Sequence, residues 1–332
     1  MSNDKHTPLG NRKPDPATTP DVLAGRGRRT VHLGDLLFGG SARASSLIIV
    51  VVVLIIGAFL LGNAWQPLLD NTANFFTSTT FDSSSRPPHF GVAALLWTTV
   101  LSSVIALLIA VPVAIGIALL LTQYVGGRVS RWIGFVIDLL AAVPSVIFGL
   151  WGIKVLGPAL QPVAHWMQAH LGWFPLFGST QVTSPGTVFT ASLVLALMIL
   201  PIITAVTRDV FAQTPREQIE AALALGATRW ETIRMAVLPY GRSGATAAAM
   251  LGLGRALGET IAVMLILSAS SFDVSVFSGG ETFASVIARN AAEFDTTYKA
   301  GIYISAGLVL FVLTFAVNAL ARVIAERGKA KS

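Results

Sequence analysis

Residues 244–269 read GATAAAMLGLGRALGETIAVMLILSA, a run apolar enough to cross a bilayer but with Arg255 and Glu259 at its middle. At about 1.5 Å per residue, Arg255 falls roughly 16 Å from Gly244, near the centre of a hydrocarbon core about 30 Å thick, and Glu259 follows one turn later. A charge at that depth costs at least roughly 2.5 to 3.5 kcal/mol, so it is expected to face a partner, a cavity or a solute in passage.

The rest of the chain agrees with a membrane setting. Of its 332 residues 53% are hydrophobic and 12% charged, and the mean hydropathy is +0.69, too apolar for a soluble domain. Runs near 46–62, 93–121, 133–153, 188–206, 244–269 and 301–321 are long enough to span. The expected fold is therefore an all-α integral membrane protein of about six transmembrane helices. A Pro-, Gly- and Arg-rich arm over 1–44 reads as disordered, 45–322 as the transmembrane domain, and 323–332 as a tail. The first apolar run lies too far from Met1 for a cleaved signal peptide and reads as a retained span.

Basic residues set the orientation. Lys5, Arg12, Lys13, Arg26, Arg28, Arg29 and Arg43 fill the arm, Arg128 and Arg131 follow span two, and Arg208, Arg216, Arg229, Arg234 and Arg242 fill 208–242. The opposite loops hold only Arg86, Lys154, Arg289 and Lys299, so both termini and the 208–242 loop are expected in the cytoplasm. The net charge of +6 is thus topological and gives no sign of nucleic-acid binding. Cysteine is absent, which excludes disulfides and thiolate chemistry.

Pro112, Pro144 and Pro201 stand inside predicted spans, where each would kink or break a helix. Trp65, Trp97, Trp132, Trp151 and Trp173 fall near span ends and read as interfacial anchors. The outer segments, 63–89, 154–186 and 270–299, are too short to capture a solute, so a separate protein would have to deliver it. Asp138 lies near the cytoplasmic end of span three, an interfacial position. His165 and His170 are not at helical ligand spacing, and no metal site is expected. No GxxxxGK[ST] string occurs, so ATP chemistry would belong to another chain.

The loop after span four reads TPREQIEAALALGATRWETIRMAVLPYGRSG over 214–244. Thr214, Pro215 and Glu217 have the pattern of a capping box, Gly226 that of a helix stop, and Thr228 with Glu231 that of a second box. A helix, a glycine turn and a second short helix ended by Pro239 are predicted. Glu220, Ala221 and Ala222, then Gly226, then Leu238 and Pro239 match the EAA loop of ATP-binding-cassette importer permeases, with Ala236 where that family has Ile.

Two more strings, GLGRALGETIAV at 252–263 and LAAVPSVIFGLWG at 140–152, make most of the chain resemble the phosphate-specific permeases of the PstC type, which are binding-protein-dependent inner-membrane components. The resemblance implies the type I importer-permease fold and a transporter subunit, not an enzyme, localised to the inner membrane. It implies a path for inorganic phosphate past Arg255, Glu259 and Thr260, and ATPase coupling through Glu220, Ala221, Ala222, Gly226, Leu238 and Pro239. The implied partners are a second permease of the PstA type, an ATPase dimer of the PstB type that binds the ATP, and an extracytoplasmic phosphate-binding protein of the PstS type; no cofactor is expected in this chain itself.

Side-chain chemistry fits that reading. Arginine presents a permanently charged fork that binds phosphate oxygens bidentately. Glu259, at i+4 on a continuous helix, would lie on the same face, pair with Arg255 when the path is empty, and accept a hydrogen bond from protonated phosphate that sulfate cannot donate. The rivals are a permease for another oxyanion, sulfate or molybdate, a purely structural ion pair in span five, and an intramembrane enzyme, for which no His lies in a predicted span.

Overall fold

The computed structural model describes residues 33–85, 87–178 and 184–329. Expectations for 1–32 of the arm and 330–332 of the tail lie outside the described residues, whereas 33–44, expected disordered, are helical and continuous with the first span. The helices are Leu33–Asp70 (α1), Ala93–Leu119 (α2), Gly127–Ala141 (α3), Ser145–Trp151 (α4), Gly157–Leu171 (α5), Val188–Ala212 (α6), Arg216–Ala224 (α7), Arg229–Thr232 (α8), Leu238–Gly258 (α9), Ile261–Ile266 (α10), Phe283–Arg289 (α11) and Thr297–Lys329 (α12). π turns at Leu120–Tyr124, Gly152–Leu156 and Ile233–Val237 extend α2, join α4 to α5 and join α8 to α9. Strands Phe81–Asp82 (β1) and His89–Phe90 (β2) pair antiparallel.

Among the described residues five helical runs are long and apolar enough to cross a membrane: Arg43–Asp70, Ala93–Tyr124, Ser145–Leu171, Val188–Ala212 and Thr297–Val323. The run at 244–269, divided between α9 and α10, supplies a sixth passage. The all-α membrane fold of about six passages therefore stands.

The chain divides into two units, 1–54 and 55–332. In the first, Leu47, Ile48, Ile49, Val50 and Leu54 are all exposed, the all-round apolar surface of a helix made for lipid. The second holds the main core. Ala106, Ala110, Ala114 and Ala118 form an i, i+4 stripe of fully buried alanines along α2, and such small side chains let backbones approach closely. Val194, Leu195, Ile199 and Ile203 of α6 fill the same apolar cluster. A Cβ on Gly252 of α9 would overlap Ile203, so this glycine sets how near α9 can come to α6.

One predicted span is placed differently. Residues 133–153 are not one helix: α3 stops at Ala141, the amides of Ala142 and Val143 close tight turns onto Leu139 and Leu140, and Pro144 caps a new helix. That second helix continues past Lys154 to Leu171, so the outer segment expected from 154 is helical over its first half. Pro112 and Pro201, by contrast, sit inside unbroken helices.

Pro239, expected to end a helix, lies instead in the first turn of α9. The same device precedes Pro158 in α5: in each case a π turn holds the residue four back, Met235 or Lys154. Proline cannot donate to that carbonyl and its ring crowds it, and the wider turn relieves both faults.

The segment after α1 is also more ordered than a polar loop. Asn71 brackets Phe90, donating to its carbonyl at 2.7 Å and accepting from its amide at 3.1 Å. Phe75, Phe81 and Phe90 form edge-on ring contacts, and Ser83 hydrogen-bonds the Tyr303 hydroxyl at 2.9 Å. These contacts build a cap over the start of α2 and α12.

Candidate functional site

Arg255 is exposed in the last turn of α9, and Glu259 and Thr260 are half-buried in the break between α9 and α10. The predicted same-face pairing of Arg255 with Glu259 does not occur, because the helix ends at Gly258 and Glu259 has extended backbone (φ −68°, ψ 123°). Its Oε1 accepts from the Ala262 amide at 3.4 Å, and the Thr260 hydroxyl donates to the Gly258 carbonyl at 3.2 Å. Side chains thus take over the backbone ladder where it stops. Among the described residues no ion pair joins the two charges. Arg255 also lies where a cation offsets the negative end of the α9 dipole, a structural role available to any basic side chain.

α4 lines up beside the break. A Cβ on Gly149 would meet Ala262 and Leu265, and one on Gly152 would meet Ile266, so α4 and α10 run parallel in close contact. Counting back along α4 places Ser145 level with the Glu259–Thr260 break. The break in the 244–269 passage therefore lies beside the start of the helical run Ser145–Leu171, with an arginine close in sequence. A helix start leaves its first amides without helical partners; at α10 the Glu259 carboxylate already takes that of Ala262.

The 208–242 loop is mounted firmly. α7 runs over Arg216–Ala224 and ends on Gly226, whose φ of +84° few other residues adopt. Thr228 and Glu231 form the predicted capping box: the Thr228 amide and hydroxyl donate to Glu231 at 2.7 and 2.8 Å, and the Glu231 amide donates back at 3.3 Å. These bonds hold the Glu231 carboxyl below the ordinary glutamate pKa. The other predicted box is absent: Pro215 occupies the cap of α7, and the Thr214 hydroxyl is buried without a hydrogen-bond partner. Ile219, Ile233, Val237 and Leu238 clamp the loop to Ala118, Leu119 and Phe211, the ends of α2 and α6. On its outer side Glu220 and Ala221 are exposed, as are Leu223, Leu225 and Trp230; Ala222 is half-buried and Pro239 exposed. Ala236, in the family's Ile position, is buried in the π turn.

Asp138 sits on α3 4.0 Å from Arg208 at the end of α6, and Arg208 also meets Asp209 at 3.3 Å. A Cβ on Gly134 would overlap the Arg208 guanidinium, so that glycine opens the way for the arginine across α3. His165 and His170 lie on α5, where His170 stacks on Trp166 at 4.7 Å.

One constellation escaped sequence reasoning. Arg289 at the end of α11 donates to the Met264 and Leu267 carbonyls at 3.1 and 2.9 Å and meets Glu281 at 3.0 Å. Burial pushes the Glu281 carboxyl above its ordinary pKa, and Arg289 opposes the shift. The partners lie 8 to 25 residues from Arg289, and no periodicity marks them.

An all-helical membrane bundle with a charged break in one passage and an EAA-type helical pair mounted on its end defines the membrane component of a transport system. Residues 110–329 match the family described as "Binding-protein-dependent transport system inner membrane component", and the chain belongs to it. It is 55% identical over 316 residues to "Phosphate transport system permease protein PstC 2" of Mycobacterium tuberculosis, covering 94% of this chain and 97% of that one. With "Phosphate transport system permease protein PstC" of Mycobacterium leprae it shares 58% over 271 residues, covering 80% and 85%. The fold is similar to that of a bacterial alginate ABC transporter in complex with an alginate pentasaccharide-bound periplasmic protein (TM-score 0.55, 14% identity, 90% of this chain and 98% of that one). It is similar also to the MetNI methionine ABC transporter in an inward-facing conformation (TM-score 0.51, 16% identity, 71% and 96%).

Proposed function

We propose that this permease forms one wall of the translocation path for inorganic phosphate in an ATP-driven importer. It would pair with a second permease of the PstA type, stand on two ATPase subunits of the PstB type that bind and hydrolyse ATP, and receive phosphate from an extracytoplasmic protein of the PstS type. Both termini and the 208–242 loop would face the cytoplasm, as the distribution of basic residues favours. The observation that carries the reading is an exposed arginine in the last helical turn before a charged break in one passage, in a chain 55% identical to a phosphate permease along nearly all its length. Arg255 offers the bidentate fork, and Glu259 accepts from a protonated phosphate while repelling fully ionised sulfate.

Coupling would run through Glu220, Ala221, Ala222 and Gly226 outside and Leu238 and Pro239 beneath. Because the loop is welded to α2 and α6, a pull on it moves those helices instead of bending the loop. The test is uptake competition in the reconstituted complex with its binding protein. Excess unlabelled phosphate is expected to abolish uptake of labelled phosphate, and excess sulfate or molybdate to leave it unchanged; equal blocking by sulfate overturns the phosphate assignment.

A further inference from the structure

The short helix α10 belongs to the large apolar cluster through Ala262, Val263, Ile266 and Leu267, packed with α2 and α6. α11 belongs to a different cluster, in which Phe283 and Val286 pack on Val92, Leu95, Tyr303 and Ala306. Between the two, Arg289 reaches from α11 to the Met264 and Leu267 carbonyls at the end of α10, and its Nε meets Glu281. Both side chains are partly exposed, 33% for Arg289 and 22% for Glu281, so water can replace each bond when it breaks. An apolar seam would lose its packing on opening, whereas a polar clasp between two intact cores opens and closes with both cores preserved.

The flanks of α11 fit such a movement. Before α11 the Gly280 amide donates to the Ser268 carbonyl at 2.9 Å, a fixed point beside the end of α10, whereas after Arg289 the residues from Ala291 to Tyr298 are exposed, so the end of α11 that carries the arginine is the one free to swing. The far end of α10 is the Glu259–Thr260 break, so a change at the clasp is passed along fewer than two turns of helix to the candidate phosphate site.

We propose that Arg289, held by Glu281, is a positioning residue that clasps the outer end of α10 to α11 and closes the path on the side opposite the 208–242 loop, and that each transport cycle requires the clasp to open. This rests on the phosphate-import reading above. The partner in the clasp is the chain's own backbone, so the gate needs no ligand to stay shut.

The chain has no cysteine of its own, which permits a direct test. Met264→Cys with Arg289→Cys, which places one thiol on α10 and one on α11, is reconstituted with the partner subunits and bridged by a short disulfide-containing cross-linker, the bridge being located within this chain by mass. Bridging is expected to lower phosphate uptake at least tenfold, and reductant to restore the level of the unbridged variant. Equal uptake by bridged and unbridged complexes overturns the proposal, since a static brace need not open.

Separately, Arg289→Gln is expected to raise ATP hydrolysis in the absence of the binding protein several-fold, and Arg289→Lys to restore part of the dependence on it. Unchanged unstimulated hydrolysis with Arg289→Gln also overturns the proposal. If the unmodified complex takes up no phosphate, the functional reading fails instead; the hydrolysis measurement still decides the clasp.

Discussion

At Pro239 a residue that cannot donate a backbone hydrogen bond sits inside a continuous helix, while at Glu259, where every neighbour can donate, the helix stops. The two ends of α9 differ in what surrounds them. At Pro239 the π turn of Ile233–Val237 relieves the proline, and the apolar cluster around Phe211 holds the chain in line. At Glu259 the carboxylate serves the Ala262 amide, the Thr260 hydroxyl serves the Gly258 carbonyl, and open space surrounds a Cβ built on Gly258. One end is held in line by packing; the other leaves backbone and charge accessible.

Phe211→Ala strikes the rigid end hardest. This ring is buried beneath the loop, with Gly241 shaped to receive it. Its loss is expected to cost about 3 to 5 kcal/mol, measured by thermal unfolding in detergent, and to separate hydrolysis from uptake. A variant with unchanged melting and coupling would remove the rigid side of the contrast. Arg255→Lys probes the open end: the charge at the end of α9 remains but the fork is lost. Assembly should be unchanged and phosphate uptake should drop at least tenfold, about 1.4 kcal/mol of transition-state binding; normal uptake would reduce Arg255 to a dipole partner.

Gly226→Val tests whether the loop must keep its shape. A β-branched residue at a φ of +84° is expected to cost about 1 to 2 kcal/mol, and the ratio of phosphate moved to ATP hydrolysed should fall. Thr228→Ala removes the N-cap of α8 for about 1 kcal/mol, seen as faster amide exchange at Glu231. Since its bonds to Thr228 lower the Glu231 pKa, the box is at full strength at neutral pH and is lost only as pH falls through that lowered value.

The loop was legible where its chemistry is local. Gly226, Thr228 and Glu231 act within five residues of each other, and the structure has them as read. Thr214 and Pro239 misled, because a proline can itself occupy a cap and because a π turn can precede a proline without any mark in the sequence. The charges of the 244–269 passage stood out from composition, but the break did not, for Gly258, Glu259 and Thr260 form no stop signal. It becomes comprehensible only with the side-chain bonds in view. The Arg289 clasp was illegible for a simpler reason: two of its three acceptors are backbone carbonyls, which every residue has.

The turn at Ile233–Val237 also fixes an angle. A π turn holds one residue more than the α-helical ladder needs, and one residue corresponds to about 100° around a helix axis. Deleting a single residue there would swing α7 and α8 by roughly that angle relative to the face of α9 that carries Arg255. Two permeases could then agree at nearly every aligned position and still present their docking helices in different directions, so rotational phase is a trait that percent identity does not count.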